Sequence, residues 1–216
     1  MNRLKDGSEG MGTQEFWEHH KSEKYSEGNS IANRLVSNFF HGVIELVEIT
    51  KQDAQSYLEV GCGPGESSLR INRALEGKQF EVSEFDERFI EMFERTDFPL
   101  TFKQESVYEM DREDNSFDCI LLLEVLEHLD DYELALKELV RVSNKYVLIS
   151  VPNEPYWRIL NMVRFKYVSN LGNTPGHVNN WTTNGLKRLL SRYGTILKMK
   201  TPLPWQMVLL DVRSKG

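Results

Sequence analysis

Three glycines follow one apolar stretch of this sequence, with a single residue between each pair. The run YLEVGCGPGESSLRI, residues 57–71, contains Gly61, Gly63 and Gly65 and ends in a helical pattern. Glycine lacks the Cβ atom that would hold a ligand away from the backbone, and the first turn of a helix presents unpaired N–H groups. The spacing therefore allows two interpretations: a tight turn from a strand into a helix, or a cradle in which the backbone contacts a ligand.

A carboxylate at the end of a second apolar stretch helps to choose between a simple turn and a ligand-binding cradle. Glu84 follows the glycines by about 20 residues, where a carboxylate can accept hydrogen bonds from both hydroxyls of a ribose; the alternative is a solvated charge. Asp86 is better interpreted as the N-cap of the next helix. The glycines lack the GxGxxG spacing of a dinucleotide site, and Glu66, just inside the helix, opposes a bound pyrophosphate. The pattern favours a nucleoside with a positive group over NAD.

A second group of residues that can do chemistry lies in EVLEHL. Glu124, Glu127 and His128 stand at i, i+3 and i+4, which predicts one helical face carrying two carboxylates and an imidazole. Such a face can ligate Mg²⁺ or Mn²⁺, or it can supply a general base, and His177 in GHVNNW is a candidate fourth ligand. The alternative is that these residues only cap and orient the loop.

The elements that must position these residues alternate between strands and helices. Five short apolar stretches are predicted as strands, and helical patterns between them are predicted at 67–75, 86–93 and 132–140. The strand predictions are 56–60, 79–84, 100–103, 119–123 and 146–151. A further helix is predicted over about 30–47, another at 183–193, and two closing strands at TILKMKT and QMVLLDV. This alternation predicts an α/β fold with a largely parallel sheet and helices on both faces.

Composition narrows the function classes. The chain has 216 residues and a formal net charge of −7, which argues against a general nucleic-acid-binding surface. Two cysteines form neither a disulfide framework nor a zinc pattern, so we expect a reducing, cytoplasmic setting. The N-terminal stretch has no apolar core typical of a signal peptide, and no stretch approaches the length of a membrane span.

Four of these stretches together resemble class I S-adenosylmethionine-dependent methyltransferases of the methyltransferase type 11 kind. They are LEVGCGPGESSL, VSEFDERFIEMF, SVYEM…NSFDCILLLEVLEHLDD and YVLISVPNEP, in the order and spacing of that family, between about residues 57 and 151. The resemblance implies a Rossmann-like sheet of seven strands, mostly parallel with an antiparallel last strand. It also implies S-adenosyl-L-methionine as cofactor and S-adenosyl-L-homocysteine as product.

The resemblance implies a role for individual residues. Gly61, Cys62 and Gly63 would lie against the methionine and ribose parts of the cofactor, and Glu59 would help to hold its amino group. Glu84 would bind the ribose hydroxyls. The remaining implied contacts are Phe85 against the adenine, the Leu123 carbonyl toward the amino group, Tyr25 closing over the cofactor, and Ser106 with Val107 where many members have an aspartate that reads the adenine.

The resemblance also bears on catalysis. EVLEHL is similar to the corresponding segment of ubiquinone-pathway O-methyltransferases and small-RNA 2′-O-methyltransferases, in which such residues are implied to hold a divalent ion. We nevertheless assign no metal ligands from the sequence and predict His128 as general base, with His177 as the second choice. An oxygen acceptor needs a base or a metal to remove its proton, whereas a neutral amine does not.

These expectations combine into one predicted domain. Residues 1–28 would form an arm, 29–151 the cofactor-binding core, 152–180 a lid over the acceptor site, and 181–216 the closing helix and strands. The basic and aromatic lid segment, 156–168, suits an acidic or lipid-linked acceptor with peripheral membrane contact, or is simply an amphipathic helix. We expect methyl transfer to a small molecule, at oxygen in preference to nitrogen or carbon; the alternatives are an RNA or protein methyltransferase and a non-catalytic cofactor-binding module.

Overall fold

A seven-stranded sheet forms the centre of the molecule. The computed structural model describes residues 30–158 and 176–215; the predicted arm with Tyr25, and residues 159–168 of the predicted lid segment, lie outside these ranges. The strands are β1 (Ser56–Val60), β2 (Gln79–Glu84), β3 (Thr101–Gln104), β4 (Phe117–Leu123), β5 (Ser143–Pro152), β6 (Thr195–Lys200) and β7 (Trp205–Asp211). The helices are α1 (Ser30–Thr50), α2 (Glu66–Leu75), α3 (Glu87–Arg95), α4 (Tyr132–Val142) and α5 (Thr183–Leu190).

The strand order is β3-β2-β1-β4-β5-β7-β6. Strands β1 to β5 pair in parallel, whereas β7 runs antiparallel to both β5 and β6. The predicted fold, a mostly parallel Rossmann-like sheet with an antiparallel last strand, is therefore confirmed. The predicted strands at 56–60 and 79–84 match β1 and β2 residue for residue, while β4 and β5 begin two and three residues earlier than predicted.

Each face of the sheet is covered by helices because the central strands are apolar on both sides. The core on one face joins the sheet to α1, α2 and α3 through residues such as Leu46, Ile71 and Phe93. The core on the other face joins it to α4 and α5 through residues such as Leu139 and Leu186. Strands buried on both sides read as continuous apolar runs, which explains why ILLL and YVLISV are recognisable in the sequence.

The topology places the carboxyl ends of the parallel strands at one edge of the sheet. From β1 the chain continues outward to β2 and β3, and it then crosses back to form β4 on the other side of β1. Such a switch point is where open parallel sheets bind ligands. Because β7 is antiparallel, its first residue, Trp205, pairs with Pro152 at the end of β5 and lies at the same edge. Among the described helices, none combines the length and apolar character needed to cross a membrane.

Candidate active site

The three glycines between β1 and α2 all adopt left-handed backbone conformations, with φ of 71°, 54° and 79° for Gly61, Gly63 and Gly65. Two of them are also required by packing. A Cβ atom on Gly61 would lie 2.7 Å from a methyl of Val125, and one on Gly65 would lie 2.6 Å from the ring of Phe98. A Cβ on Gly63 would meet nothing within 4 Å. Gly63 therefore borders open space, as a residue that approaches a ligand must.

Glu84 ends β2 and ties it to this glycine turn. Its carboxylate accepts a 2.7 Å hydrogen bond from the N–H of Gly63 through Oε2. Oε1 accepts from the N–H groups of Phe85 and Asp86 at 2.8 and 2.9 Å. The carboxylate is thus a fixed acceptor at the mouth of the glycine turn, rather than a solvated charge at a strand end. Asp86 caps α3 by accepting from the N–H of Arg88, as predicted.

A pocket of about 180 Å³ opens beside this carboxylate. Five residues that the sequence assigned to cofactor binding line it: Gly61, Glu84, Phe85, Ser106 and Val107. Sequence reasoning missed the other five residues of the lining, which are Val60, Glu105, Tyr108, Val125 and Leu129. The Phe85 side chain is 70% exposed, although aromatic side chains are usually buried. A polar end at Glu84 and an apolar lining suit a nucleoside, with the sugar at the carboxylate and the base among the apolar groups.

Glu59 lies below the turn and is almost completely buried. Its two carboxylate oxygens accept 2.6 Å hydrogen bonds from the hydroxyls of Ser67 and Ser68 at the start of α2. Burial raises the pKa of Glu59 to about 7, and the two hydroxyls partly oppose that increase. Glu59 therefore connects β1 to α2.

Two other residues predicted to contact the cofactor are also buried. The Cys62 thiol lies in the core, where burial raises its pKa above the usual range. Leu123 closes β4 with its side chain 8% exposed. Neither side chain lines the pocket, so any contact from these positions would come through the backbone.

The predicted helical face in EVLEHL is wrong. Only Leu126–His128 form a short 3₁₀ turn, and Glu124 precedes it with a left-handed φ of 57°. The carboxylate of Glu124 accepts a 2.8 Å hydrogen bond from the hydroxyl of Ser150 on β5. Glu124 is thus used to join β4 to β5, and it lies outside the group formed by Glu127, His128 and His177.

Glu127, His128 and His177 do come together. One carboxylate oxygen and one nitrogen of each imidazole lie within 4.8 Å of one another, and the two imidazole rings are 4.9 Å apart at their centres. The segment that carries His177 docks on the 3₁₀ turn, because the N–H groups of Val178 and Asn179 both donate to the carbonyl of Glu127. The Nδ1 atom of His128 lies 3.0 Å from the carbonyl of Gly176, which suits an Nδ1–H donor. That tautomer leaves Nε2 as a basic or metal-ligating atom.

The environment of His177 favours its neutral form. Burial, and to a smaller extent the proximity of His128, lowers the pKa of His177 to about 4. Near neutral pH the imidazole therefore carries no charge and remains able to ligate a metal. Its weak basicity makes it a poor acceptor for a hydroxyl proton, so His128 is the better of the two candidate bases.

Comparison with known proteins agrees with this geometry. Residues 58–148 match the family model of a methyltransferase domain. No curated protein sequence matches the chain significantly. Among solved structures, magnesium protoporphyrin IX methyltransferase from Synechocystis PCC 6803 with bound SAH is similar at a TM-score of 0.67 and 13% identity, over 91% of this chain and 93% of that one.

Two further structures show the same fold. The PH0226 protein from Pyrococcus horikoshii OT3 has a TM-score of 0.64 and 15% identity, over 93% of this chain and 100% of that one. The methyltransferase domain of a bacterial CtHen1 protein has a TM-score of 0.59 and 19% identity, over 82% of this chain and 99% of that one. Identities this low establish the arrangement of the elements and leave the acceptor open.

Proposed function

We propose that this chain is a class I S-adenosylmethionine-dependent methyltransferase and that it transfers a methyl group to an oxygen atom of a small-molecule acceptor. The enzyme class is supported by the methyltransferase domain match over residues 58–148 and by the fold, both of which agree with the sequence resemblance. The choice of oxygen rests on one observation, the imidazole pair of His128 and His177, in which His128 belongs to the 3₁₀ turn between the pocket-lining residues Val125 and Leu129. A hydroxyl acceptor must lose a proton, and an imidazole can take it.

The residues around the pocket fit S-adenosylmethionine. Gly63 leaves space on its ligand side, Glu84 supplies the acceptor for the ribose hydroxyls, and Phe85 offers an exposed ring to the adenine. Ser106 and Val107 line the part of the pocket where the adenine edge would lie. When bound, the cofactor supplies a methyl group activated by a positively charged sulfur. A negative Glu84 and a negative first turn of α2 at Glu66 are compatible with that charge.

Glu59 would act on the cofactor indirectly. Both of its oxygens are engaged by serine hydroxyls, which fix the first turn of α2 next to the glycines. A bound amino group would reach Glu59 through an ordered water, consistent with its burial behind the turn. Its proposed role is to hold the glycine turn in the shape that accepts the ligand.

His128 is the proposed general base. Its Nδ1 faces the Gly176 carbonyl, so Nε2 is the nitrogen that would take the hydroxyl proton. His177 would orient His128 and the acceptor as a neutral neighbour, since its lowered pKa weakens it as a base. The protein's contribution is to align the acceptor oxygen, exclude water and receive the proton.

A divalent metal is a second candidate for activating the hydroxyl. Glu127, His128 and His177 present one oxygen and two nitrogens at mutual distances that one ion can bridge. Two imidazoles and a carboxylate suit Mn²⁺, Fe²⁺ or Zn²⁺ better than Mg²⁺, which prefers oxygen ligands. Activity that disappears with a chelator and returns with Mn²⁺ would support this candidate; activity unaffected by the chelator would leave His128 as the base.

The acceptor class is tested with labelled cofactor. The purified protein is incubated with S-adenosylmethionine carrying a labelled methyl group and a cell extract separated into small molecules, RNA and protein. We expect label in the small-molecule fraction, in an alkali-stable ether or an ester. Label confined to RNA or protein would instead support the alternative acceptors, and tight S-adenosylhomocysteine binding with no transfer to any fraction would indicate a cofactor-binding module.

A further inference from the structure

A short turn after β3 forms one wall of the cofactor pocket. Ser106, Val107 and Tyr108 all line the pocket. Two hydrogen bonds close the turn on itself: the N–H of Tyr108 donates to the hydroxyl of Ser106, and the N–H of Glu109 donates to the Ser106 carbonyl, both at 3.2 Å. We call residues 106–109 the pocket turn. Because these two bonds lie within the turn, contacts outside it fix its position against the rest of the pocket.

Arg112 connects the start of the pocket turn to β2. Its Nε atom donates to the carboxylate of Glu105, the residue before the turn, at 3.0 Å, and its Nη1 atom donates to Glu81 on β2 at 2.7 Å. The guanidinium carbon also lies 5.3 Å from the centre of the Phe117 ring. Arg112 and Glu105 are both largely shielded, with 14% and 3% of their side chains exposed. Arg112 thus bridges two carboxylates, one on β2 and one just after β3, in a setting that water hardly reaches.

The end of the pocket turn has a separate anchor on α4. Met110 donates its N–H to Glu138 at 2.8 Å, and its carbonyl accepts from Arg141 at 3.0 Å. Arg141 also donates to the carbonyl of Arg112 at 2.8 Å. The pocket turn is therefore held at two points, at its end by α4 and at its start by the pair of Arg112 and Glu105. Loss of the Arg112 side chain would release the start of the turn and leave its end attached.

The start of the pocket turn depends on Arg112 because Glu105 is buried. A buried carboxylate that loses its partner must gain a proton or turn toward water. A second cation near Glu105 is Lys103, at 3.5 Å, but Lys103 makes a closer contact of 2.8 Å with Asp111. The N–H of Glu105 also donates to the carbonyl of Glu84 at 3.1 Å. A displaced Glu105 would therefore disturb both the pocket turn and the strand end that carries the proposed ribose contact.

We propose that Arg112 is a positioning residue of the cofactor site, which holds the pocket turn, through Glu105 and Glu81, where it contacts the base of the cofactor. This inference rests on the proposed cofactor site and adds to it residues that set its affinity and its preference for adenine. Arg112 and Glu81 both lie outside the ten residues that line the pocket. They therefore act on the ligand through the pocket turn and not by contact.

The test compares two ligands that differ only in the base. S-adenosylhomocysteine carries adenine, whereas S-inosylhomocysteine has an oxygen in place of the exocyclic amino group. The variants are Arg112→Gln, Arg112→Lys and Glu81→Gln. Arg213→Lys is the matched control, because Arg213 also bridges two carboxylates, those of Asp53 and Asp211, but at the opposite edge of the sheet. Isothermal titration calorimetry gives both Kd values for each protein, at a temperature where thermal unfolding shows that all of them are folded.

We expect the unmodified protein to bind the adenosyl compound more tightly than the inosyl compound. Arg112→Gln should weaken adenosyl binding by about tenfold, because a displaced turn loses roughly one hydrogen bond to the base. Binding of the inosyl compound should weaken less, so the preference for adenine falls. Arg112→Lys should lie between these values, since an ammonium keeps the charge but not the planar fork. Glu81→Gln should lower the same preference from outside the pocket, and Arg213→Lys should match the unmodified protein for both ligands.

Several outcomes would overturn the proposal. Unchanged S-adenosylhomocysteine affinity in Arg112→Gln and Glu81→Gln removes Arg112 from the cofactor site. Equal weakening of both ligands indicates a purely structural role, and equal binding of both by the unmodified protein shows that the pocket turn does not distinguish the base. If Arg112→Gln does not fold, Arg112→Lys and Glu81→Gln decide by the same criteria. An unmodified protein that binds neither ligand contradicts the proposed cofactor site itself, so the two failures are distinguishable.

Discussion

At the scale of single residues, the candidate site depends on carboxylates whose surroundings give them different tasks. Glu84 is partly exposed and holds three backbone N–H groups in the correct positions around the glycine turn. Glu59 is buried and holds two hydroxyls. Glu124 joins two strands through Ser150. Only the surroundings, and not the residue type, distinguish the acid that lines the pocket from the two that hold structural contacts.

Replacing Glu84 by alanine should weaken S-adenosylhomocysteine binding by roughly 10- to 100-fold. Hydrogen bonds to a charged group are typically worth about 1.5–3 kcal/mol, and the change also removes the acceptor that fixes Gly63. Isothermal titration calorimetry measures the loss directly. Glu87→Ala is the matched control, because it removes an exposed carboxylate from the first turn of α3 and should leave the affinity unchanged. Equal affinities for Glu84→Ala and the unmodified protein would contradict the proposed ribose contact.

Glu59 should make the protein less stable as the pH rises from about 4.5 to 7. Its pKa is about 7 in the folded protein and near 4.3 in an unfolded chain, so in that range only the folded state keeps the proton. The stabilisation is complete below the unfolded pKa and is lost as the pH rises through the folded one, by about 4 kcal/mol at most. Urea unfolding at pH 5 and pH 8 measures it, and Glu59→Gln should reduce the difference. Identical pH dependence in both proteins would show that Glu59 titrates normally.

At the scale of elements, the glycines between β1 and α2 divide into two that packing requires and one that borders open space. Gly61 and Gly65 are needed because Val125 and Phe98 occupy the space of a Cβ atom, whereas Gly63 faces open space. The 3₁₀ turn after β4 and the segment at 176–179 form a second junction, which carries the imidazole pair. The first junction is local in sequence, but the second brings together residues almost 50 positions apart, as the contact between His128 and Gly176 shows.

The second and third glycines of the turn should respond differently to alanine. Gly65→Ala places a methyl group 2.6 Å from the ring of Phe98, so we expect a loss of stability of about 1–3 kcal/mol from overpacking and backbone strain. Gly63→Ala suffers only the strain of its left-handed backbone, about 1 kcal/mol, but projects its methyl into the ligand space. Thermal unfolding and calorimetric titration with S-adenosylhomocysteine should therefore identify Gly65→Ala as the less stable variant and Gly63→Ala as the weaker binder relative to its stability. The reverse ranking would contradict these assignments.

At the scale of the whole molecule, the sequence predicts what depends on local pattern. β1 and β2 match their predicted ends because apolar runs stop at the glycines and at Glu84. Five of the ten pocket-lining residues were predictable because a family motif assigns each to a position at or just after a strand end, and the other five were not. The conformation of Glu124 was not predictable, because a spacing of i, i+3, i+4 also fits a chain that turns before it becomes helical. The contact of Trp205 with Trp157 was not predictable either, because it depends on the pairing of β7 with β5.

S-adenosylhomocysteine should raise the melting temperature of the protein, and NAD should not. A ligand that binds only the folded state adds about 2.7 kcal/mol at a concentration 100 times its Kd, which for a chain of this length raises Tm by roughly 5–11 °C. NAD should cause no shift, because its pyrophosphate would lie at the start of α2, where Glu66 carries a negative charge next to Gly65. Glu66→Gln removes that charge without changing the glycine turn. In this variant, S-adenosylhomocysteine should raise Tm as much as it does in the unmodified protein. If NAD raised the Tm of the unmodified protein and S-adenosylhomocysteine did not, the ligand inferred from the glycine turn and Glu84 would be wrong.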